Sequence, residues 1–200
     1  MNKYLLLLIF IISSGTSFSQ KGGSYYTQKQ WLENTTKPEY ASDNQRLMAA
    51  YYYAYKEDPD TPEGKNALAK SDSLKKLSRN NIIDRLQGKW KLKKSGSNWG
   101  FKDADSNKTC YLLVEKNIAT FYTVDKTGKK EITKEEKLIF TEVDGRFYSA
   151  LEFVYSDNSV WSYIFKDSTL HIFQIGVMAN DMISEIICGN TEYYYSKVQD

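Results

Sequence analysis

Histidine, cysteine and proline are scarce in this 200-residue chain, which has one histidine, two cysteines and three prolines. A single histidine, His171, excludes metal sites built from several histidines and leaves any catalytic triad dependent on that one side chain. The formal net charge is only +2 at pH 7, so no strong field points to nucleic acid or to an anionic membrane. We therefore expect no catalytic site, no metal, no cofactor and no nucleic-acid partner.

The first nineteen residues have the composition of an export signal. Lys3 precedes an unbroken apolar run over 4–12, and Ser17 and Ser19 supply small residues before a cleavage point. This pattern predicts a secretory signal peptide over 1–19, and its apolar run is far shorter than the ~20 residues of a membrane-spanning helix. We expect an exported protein, periplasmic or extracellular, without a membrane span.

Residues 20–81 are predicted to form an N-terminal arm and a helical segment. Two helices are expected, over about 42–57 and 61–80, each with a capping residue at its start. The first carries one broad apolar and aromatic face, made of Leu47, Met48, Tyr51, Tyr52 and Tyr55. Because this face is too apolar to leave in water, we expect it to pack on the C-terminal barrel of the same chain, near a barrel end, or, alternatively, on the same face of a second molecule.

From residue 82 the apolar pattern changes to a period of two, and aromatic residues become frequent, which favours β-structure. The predicted strands are 88–95, 108–115, 117–124, 131–142, 147–155, 159–166, 169–175, 182–188 and 191–198. Short turns join most of them, so neighbours in sequence should pair antiparallel. Eight or nine such strands would leave two exposed edges unless the sheet closes. We therefore expect a mainly β fold, an antiparallel up-and-down barrel over 82–200 preceded by two short helices.

Alternation within the strands predicts which side chains face inward. In 147–155 and 159–166 the odd positions are strongly apolar and aromatic, and they include Leu151, Phe153, Trp161 and Tyr163. These four residues are the candidates for an interior, ligand-binding wall. In 131–142 the even face carries Ile132, Leu138 and Phe140 together with Lys134 and Glu136, so the first half of that strand is expected to be exposed at the rim.

The run Leu86-x-Gly88-x-Trp90-x-Leu92, placed at the head of a series of β-hairpins, resembles the bacterial lipocalin-like domains of the calycin group. The resemblance covers 82–200. It implies that Gly88 and Trp90 begin the first strand, that Trp90 plugs the closed end of the barrel, and that the mouth admits small apolar ligands. It also implies a basic partner for the tryptophan from the last strand, where Lys197 is the candidate. Gly88 is expected to allow a close backbone approach.

Two functions are compatible with this container. One is an exported module that binds a small apolar or amphipathic molecule without catalysis, and the other is a structural or protein-interaction barrel with a filled interior. A void of roughly 300 Å³ or more would favour the first. Cys110 and Cys188 are expected either to form a disulfide at the rim or to be two buried free thiols.

Overall fold

The computed structural model describes residues 26–105, 107–142 and 150–199, so the predicted signal peptide over 1–19 lies outside the described residues. Four helices come first in the described part, where two were expected. They are α1 (Gln28–Asn34), α2 (Pro38–Ala41), α3 (Asn44–Glu57) and α4 (Pro62–Leu86). No described helix is long and apolar enough to cross a membrane.

Side-chain caps fix where the longer helices begin. The carboxylate of Asp43 accepts hydrogen bonds from the backbone N–H groups of Gln45 and Arg46 at the start of α3. Thr61 accepts the N–H of Gly64 at the start of α4, and Pro62 occupies the first helical turn. These contacts satisfy donors that a helix leaves unpaired at its N-terminus.

The helices α1, α3 and α4 have a small core of their own. It contains Met48, Ala50 and Ala54 of α3 with Ala67 and Ser71 of α4, all essentially inaccessible to solvent. The Ser71 hydroxyl donates to the Met48 carbonyl oxygen at 3.0 Å. The aromatic face of α3 was expected to pack on the barrel, and this expectation is wrong. That face packs within the helices instead, because α3 lies between α1 and α4.

Eleven strands follow α4 in the described residues. They are β1 (Gly88–Ser97), β2 (Gly100–Asp103), β3 (Lys108–Glu115), β4 (Ile118–Asp125), β5 (Lys130–Lys137), β6 (Ile139–Phe140), β7 (Phe153–Val154), β8 (Ser159–Lys166), β9 (Thr169–Ala179), β10 (Met182–Glu185) and β11 (Glu192–Lys197). Most of the predicted strands are found close to their predicted bounds. β2 was not predicted. The predicted strand over 147–155 is represented by β7 alone, and part of its range lies outside the described residues.

All the strands join one antiparallel sheet in the order β5-β4-β3-β1-β11-β9-β8-β7-β6, with β2 beside β1 and β10 beside β9. The β1–β11 ladder joins the first strand to the last and pairs Leu92 with Tyr195. Apart from that ladder and the two side strands, neighbours in the sheet are neighbours in sequence, as expected of an up-and-down sheet. The fold is mainly β and its sheet is antiparallel, as predicted.

The sheet is not closed into a barrel by hydrogen-bonded ladders, which differs from our expectation. Its two ends, β5 and β6, are consecutive in the chain and only Leu138 separates them. β5 pairs with β4, whereas β6 pairs with β7. At the change of partner the N–H of Leu138 donates to the Asn117 carbonyl oxygen at 2.7 Å. One stretch of chain therefore forms both edges of the sheet because it changes partner half-way along.

Trp90 lies where α4 meets the sheet. Its side chain is only 3% exposed, and its indole N–H donates to the Leu86 carbonyl oxygen at 2.8 Å. The ammonium group of Lys197 lies 4.9 Å from the centre of the Trp90 ring, as expected for a basic residue of the last strand. Arg85 covers the neighbouring Phe165 ring at 4.1 Å. The C-terminal turn of α4 thus covers the sheet where β1 begins and β8 ends.

A glycine is required at position 88 for a reason different from the one we expected. A Cβ atom at this position would have its nearest neighbour, Lys197 Cε, at an ordinary 3.7 Å. The backbone φ angle of Gly88 is +99°, which side chains of L-residues rarely adopt. The glycine is therefore required by the sharp exit from α4 into β1 and not by a close approach of another chain segment.

Truncating Trp90 should destabilise the protein strongly. We expect Trp90→Ala to lower the free energy of unfolding by about 3–5 kcal/mol, because it removes a buried ring together with its hydrogen bond. Urea unfolding followed by circular dichroism measures the change. Trp99→Ala is the matched control, since the side chain of Trp99 is 78% exposed and its loss should cost less than about 0.5 kcal/mol. Equal effects of the two variants would contradict the placement of Trp90.

Candidate functional site

A cavity of about 340 Å³ lies between the strands of the sheet. Its wall is mostly aromatic and aliphatic, with a few hydroxyl groups, one thiol and one charged side chain. The lining residues are Leu92, Cys110, Tyr111, Phe121, Tyr122, Thr123, Thr133, Lys134, Tyr155, Trp161, Ile172, Tyr193 and Tyr195. Strands β1, β3, β4, β5, β8, β9 and β11 all contribute, so the sheet curves around the space.

Three stacked rings form one side of the cavity. Trp161 lies between Tyr155 and Tyr193, with ring centres 5.4 and 6.0 Å away and planes within 30° of parallel. The Trp161 indole N–H donates to the Ser159 hydroxyl oxygen at 2.6 Å. The stacking and this hydrogen bond thus connect the three rings into one continuous aromatic surface.

Buried tyrosine hydroxyls add polarity to this wall. The hydroxyl groups of Tyr155 and Tyr163 are hydrogen-bonded to each other. Burial raises the pKa of both groups, and the Tyr155 pKa is raised further by the nearby Tyr163. Burial also raises the pKa of Tyr195. These hydroxyls therefore stay neutral at physiological pH and act as hydrogen-bonding groups without charge.

A network of charged groups lies at the edge formed by β5. The Lys134 ammonium is 3.0 Å from the Glu136 carboxylate and 3.3 Å from the Asp157 carboxylate in the β7–β8 turn. It also lies 4.6 Å from the centre of the Tyr155 ring. The backbone N–H and the hydroxyl of Ser156 both donate to Glu136 at 2.9 Å. These side chains connect β5 to the β7–β8 turn.

The carboxylate of Glu136 is almost wholly buried, with 2% of its side chain exposed. Burial raises the pKa of Glu136, but hydrogen bonds from Ser156 and Lys134 outweigh it, so that the pKa lies below its ordinary value. The pKa of Asp157 is also lowered, mainly by the Ser159 hydroxyl that donates to it. Both groups are negatively charged at neutral pH.

The sequence did not indicate the role of Lys134 and Glu136, because the first half of the predicted strand 131–142 was expected to be exposed. Ile132 is indeed 57% exposed, but Glu136 is buried. The even-numbered positions 134, 136, 138 and 140 share one face of that strand, and Leu138 and Phe140 are apolar. That shared face was the available signal for an inward-facing charged pair.

The four residues predicted for the interior wall have different surroundings. Trp161 lines the cavity. Phe153 is fully buried and packs against Phe140 and Tyr163, with ring centres 4.3 and 4.9 Å away, so it belongs to the core beside the cavity. Tyr163 is buried and reaches the cavity wall through its hydrogen bond to Tyr155. Leu151 is half-buried in a turn before β7 and is not among the lining residues.

Cys110 and Cys188 are free cysteines, and they differ in environment. Cys110 is partly buried on β3 and lines the cavity. Cys188 is exposed in the loop after β10. This strand ends at Glu185, three residues before the end of the predicted strand 182–188. Burial raises the pKa of the Cys110 thiol, and the charge of Asp105 raises it further, which Lys108 partly offsets.

His171 has partners that the sequence did not suggest. Its Nε2 atom lies 2.9 Å from the Glu192 carboxylate. Its ring stacks on Tyr194, with ring centres 4.1 Å apart, and on Phe173. Because adjacent residues of a strand face opposite sides and Ile172 lines the cavity, this group lies on the other face of the sheet. No cluster of three metal-binding side chains occurs among residues 26–105, 107–142 and 150–199.

The buried carboxylate predicts a stability loss in acid. Because the pKa of Glu136 is lower in the folded protein than in the unfolded chain, its contribution is present at neutral pH and is lost as pH falls through the folded pKa. We expect the urea midpoint of the unmodified protein to fall more between about pH 5 and pH 3 than that of Glu136→Gln. Glu131→Gln, a change of an exposed carboxylate on the same strand, should retain the steeper dependence. If the urea midpoints of the unmodified protein and of Glu136→Gln fell equally with pH, the prediction would be contradicted.

The two thiols should react at different rates. We expect Cys188 to be alkylated by iodoacetamide at least about ten times faster than Cys110, because Cys188 is exposed, whereas Cys110 is partly buried and its thiol pKa is raised. Peptide mass spectrometry of unreduced protein over a time course measures both rates. Equal rates, or a peptide pair joined by a disulfide, would contradict the free and unequal thiols.

No protein family model matches the sequence, and no curated protein matches it. One similar solved structure is that of a lipocalin lipoprotein affecting virulence in Streptococcus pneumoniae. The sequences are 12% identical, the match covers 56% of this chain and 91% of that chain, and the TM-score is 0.29. This is a weak likeness in fold.

Proposed function

We propose that the chain is an exported lipocalin-like module that binds a small apolar or amphipathic molecule without catalysis. The observation that carries the proposal is the cavity of about 340 Å³ with its aromatic wall. Small-molecule sites are typically concave and mostly apolar, with a few polar groups, and begin at roughly 300 Å³. The alternative, a structural or protein-interaction barrel with a filled interior, is disfavoured by the same volume.

The proposal includes a barrel-like domain over 82–200. Its support is that the two ends of the sheet are one continuous stretch of chain, and that Glu136 and Lys134 bridge from β5 to the β7–β8 turn. Side-chain contacts take the place of a backbone ladder along that edge. Trp90 and the last turn of α4 cover one end, which leaves the cavity to be reached from elsewhere.

Hydroxyl groups would hold the polar end of the ligand. The Tyr155–Tyr163 pair carries two hydroxyl protons, and the hydrogen bond between the two groups uses one of them. Among the described residues, no hydrogen bond is made by the Tyr195 hydroxyl, although the side chain is only 3% exposed. Because Tyr195 lines the cavity, its hydroxyl could pair with an oxygen or nitrogen of a bound ligand.

Export and binding together suit a carrier or scavenger of a poorly soluble molecule. The support for export is the signal-like composition of residues 1–19. Native mass spectrometry of protein purified from its own host would reveal a retained ligand by an added mass that is lost under denaturing conditions.

Cys110 supplies a direct test of binding in the cavity. We expect N-phenylnaphthylamine, an uncharged aromatic probe, to slow the alkylation of Cys110, because a probe bound in the cavity would cover the thiol in its wall. Mass action predicts a roughly tenfold slower rate at a probe concentration about ten times its Kd. Cys188 is an internal control and its rate should not change. An unchanged Cys110 rate at the solubility limit of the probe would mean that the cavity does not bind such molecules.

A further inference from the structure

The charged edge of the cavity carries information on the class of ligand. Lys134 is the one charged residue among those that line the cavity in the described part of the chain. A lysine in an apolar site is usually taken as the partner of an anionic ligand. Here, however, the ammonium group already lies within 3.3 Å of two carboxylates, those of Glu136 and Asp157.

The Lys134 ammonium group already has several partners. An ammonium group has three N–H donors, of which two are directed at carboxylates. On its remaining side, Lys134 lies over the Tyr155 ring at 4.6 Å, a favourable position for a cation. An anionic ligand would have to displace one of these partners and would gain little from doing so.

The local charge is negative. Both carboxyl groups have lowered pKa values and are ionised at neutral pH, so two negative charges accompany the single positive one. Lys89 and Lys130 lie over the rings of Tyr111 and Tyr122, and, like Glu136 and Asp157, they are not among the lining residues. Of these four charged groups only Glu136 is buried, and its charge contributes to the raised pKa of Tyr155 in the cavity wall. The faces of the stacked rings are also electron-rich.

We propose that the cavity selects its ligand by charge, accepting uncharged aromatic molecules with a neutral hydrogen-bonding group and excluding carboxylates and sulfonates. This inference rests on the proposed function and specifies its ligand class. The aromatic wall supplies contact area, the tyrosine hydroxyls satisfy a neutral polar group, and the excess carboxylate repels an anion. The selection works through an unfavourable contact for the wrong ligand as well as a favourable one for the right ligand.

A matched pair of probes tests the selection. N-phenylnaphthylamine and anilinonaphthalene sulfonate share their ring system and differ by one sulfonate group. The concentration of each probe that halves the alkylation rate of Cys110 gives its affinity for the cavity alone, without contributions from surface sites. We expect the sulfonate probe to need at least about a tenfold higher concentration than the neutral probe, the discrimination that about 1.4 kcal/mol provides.

The variant Asp157→Asn tests the cause. This change removes one of the two carboxylate charges beside Lys134. The amide oxygen of the new side chain can still accept the hydrogen bond from the Ser159 backbone N–H. We expect the sulfonate probe to bind at least about threefold more tightly to this variant, with little change for the neutral probe. Glu131→Gln is the control for total charge, because this exposed carboxylate of β5 faces Lys108 of β3 and not Lys134. It should leave the ratio unchanged.

The outcomes separate the two proposals. Equal or tighter binding of the sulfonate probe overturns charge selection but leaves ligand binding intact, and so does an Asp157→Asn variant that behaves like Glu131→Gln. If neither probe slows the alkylation of Cys110, the binding function itself fails, and charge selection fails with it. The urea midpoint of each variant shows that it is folded under the assay conditions.

Discussion

The hydrogen bond from the Trp90 indole to the Leu86 carbonyl oxygen joins the parts of the molecule on which the remaining structure depends. Leu86 is the last residue of α4, and Trp90 is the third residue of β1. β1 in turn pairs with β3 on one side and with β11 on the other, so Trp90 lies opposite Leu112 and Lys197. The helix α4, the first strand β1 and the last strand β11 therefore meet at the Trp90 ring. The main hydrophobic core is built outward from that point.

The edge of the sheet opposite β1 is held differently. At Leu138 the chain changes its pairing partner from β4 to β7, and β7 is only two residues long. Too few backbone groups are available there for a continuous ladder, and contacts among Lys134, Glu136 and the β7–β8 turn connect the strands instead. The charged network is thus the local replacement for the missing backbone pairing.

Much of the sheet could be predicted from the sequence, because its strands alternate cleanly and are separated by turn residues. The predicted 108–115 and 159–166 coincide with β3 and β8. These are strands whose register is determined locally. The end of α4 could not be predicted in the same way. Ile82 and Ile83 follow a weakly amphipathic helix, and they remain helical because they pack on the core of the sheet.

The candidate site was less predictable than the fold. An aromatic wall followed from alternation, and Trp161 is part of it. Whether Phe153 faces a void or the Phe140 ring depends on contacts between strands that are distant in sequence, and these leave no local signal. The same holds for Glu136, whose burial depends on hydrogen bonds from Ser156, twenty residues further along the chain. The partner of a buried charge is a tertiary property and not a property of the strand that carries it.

The separate core of the helices has a consequence for how the molecule loses its structure. The residues that pack around Met48 and Ala67 are not members of the main core, which begins at Ile82. α4, 25 residues long, belongs to the helices at its start and to the sheet at its end. The helical part can therefore open as a cooperative unit of its own while the sheet remains folded. Amide hydrogen exchange would then resolve α3 and β3 into two classes of protection.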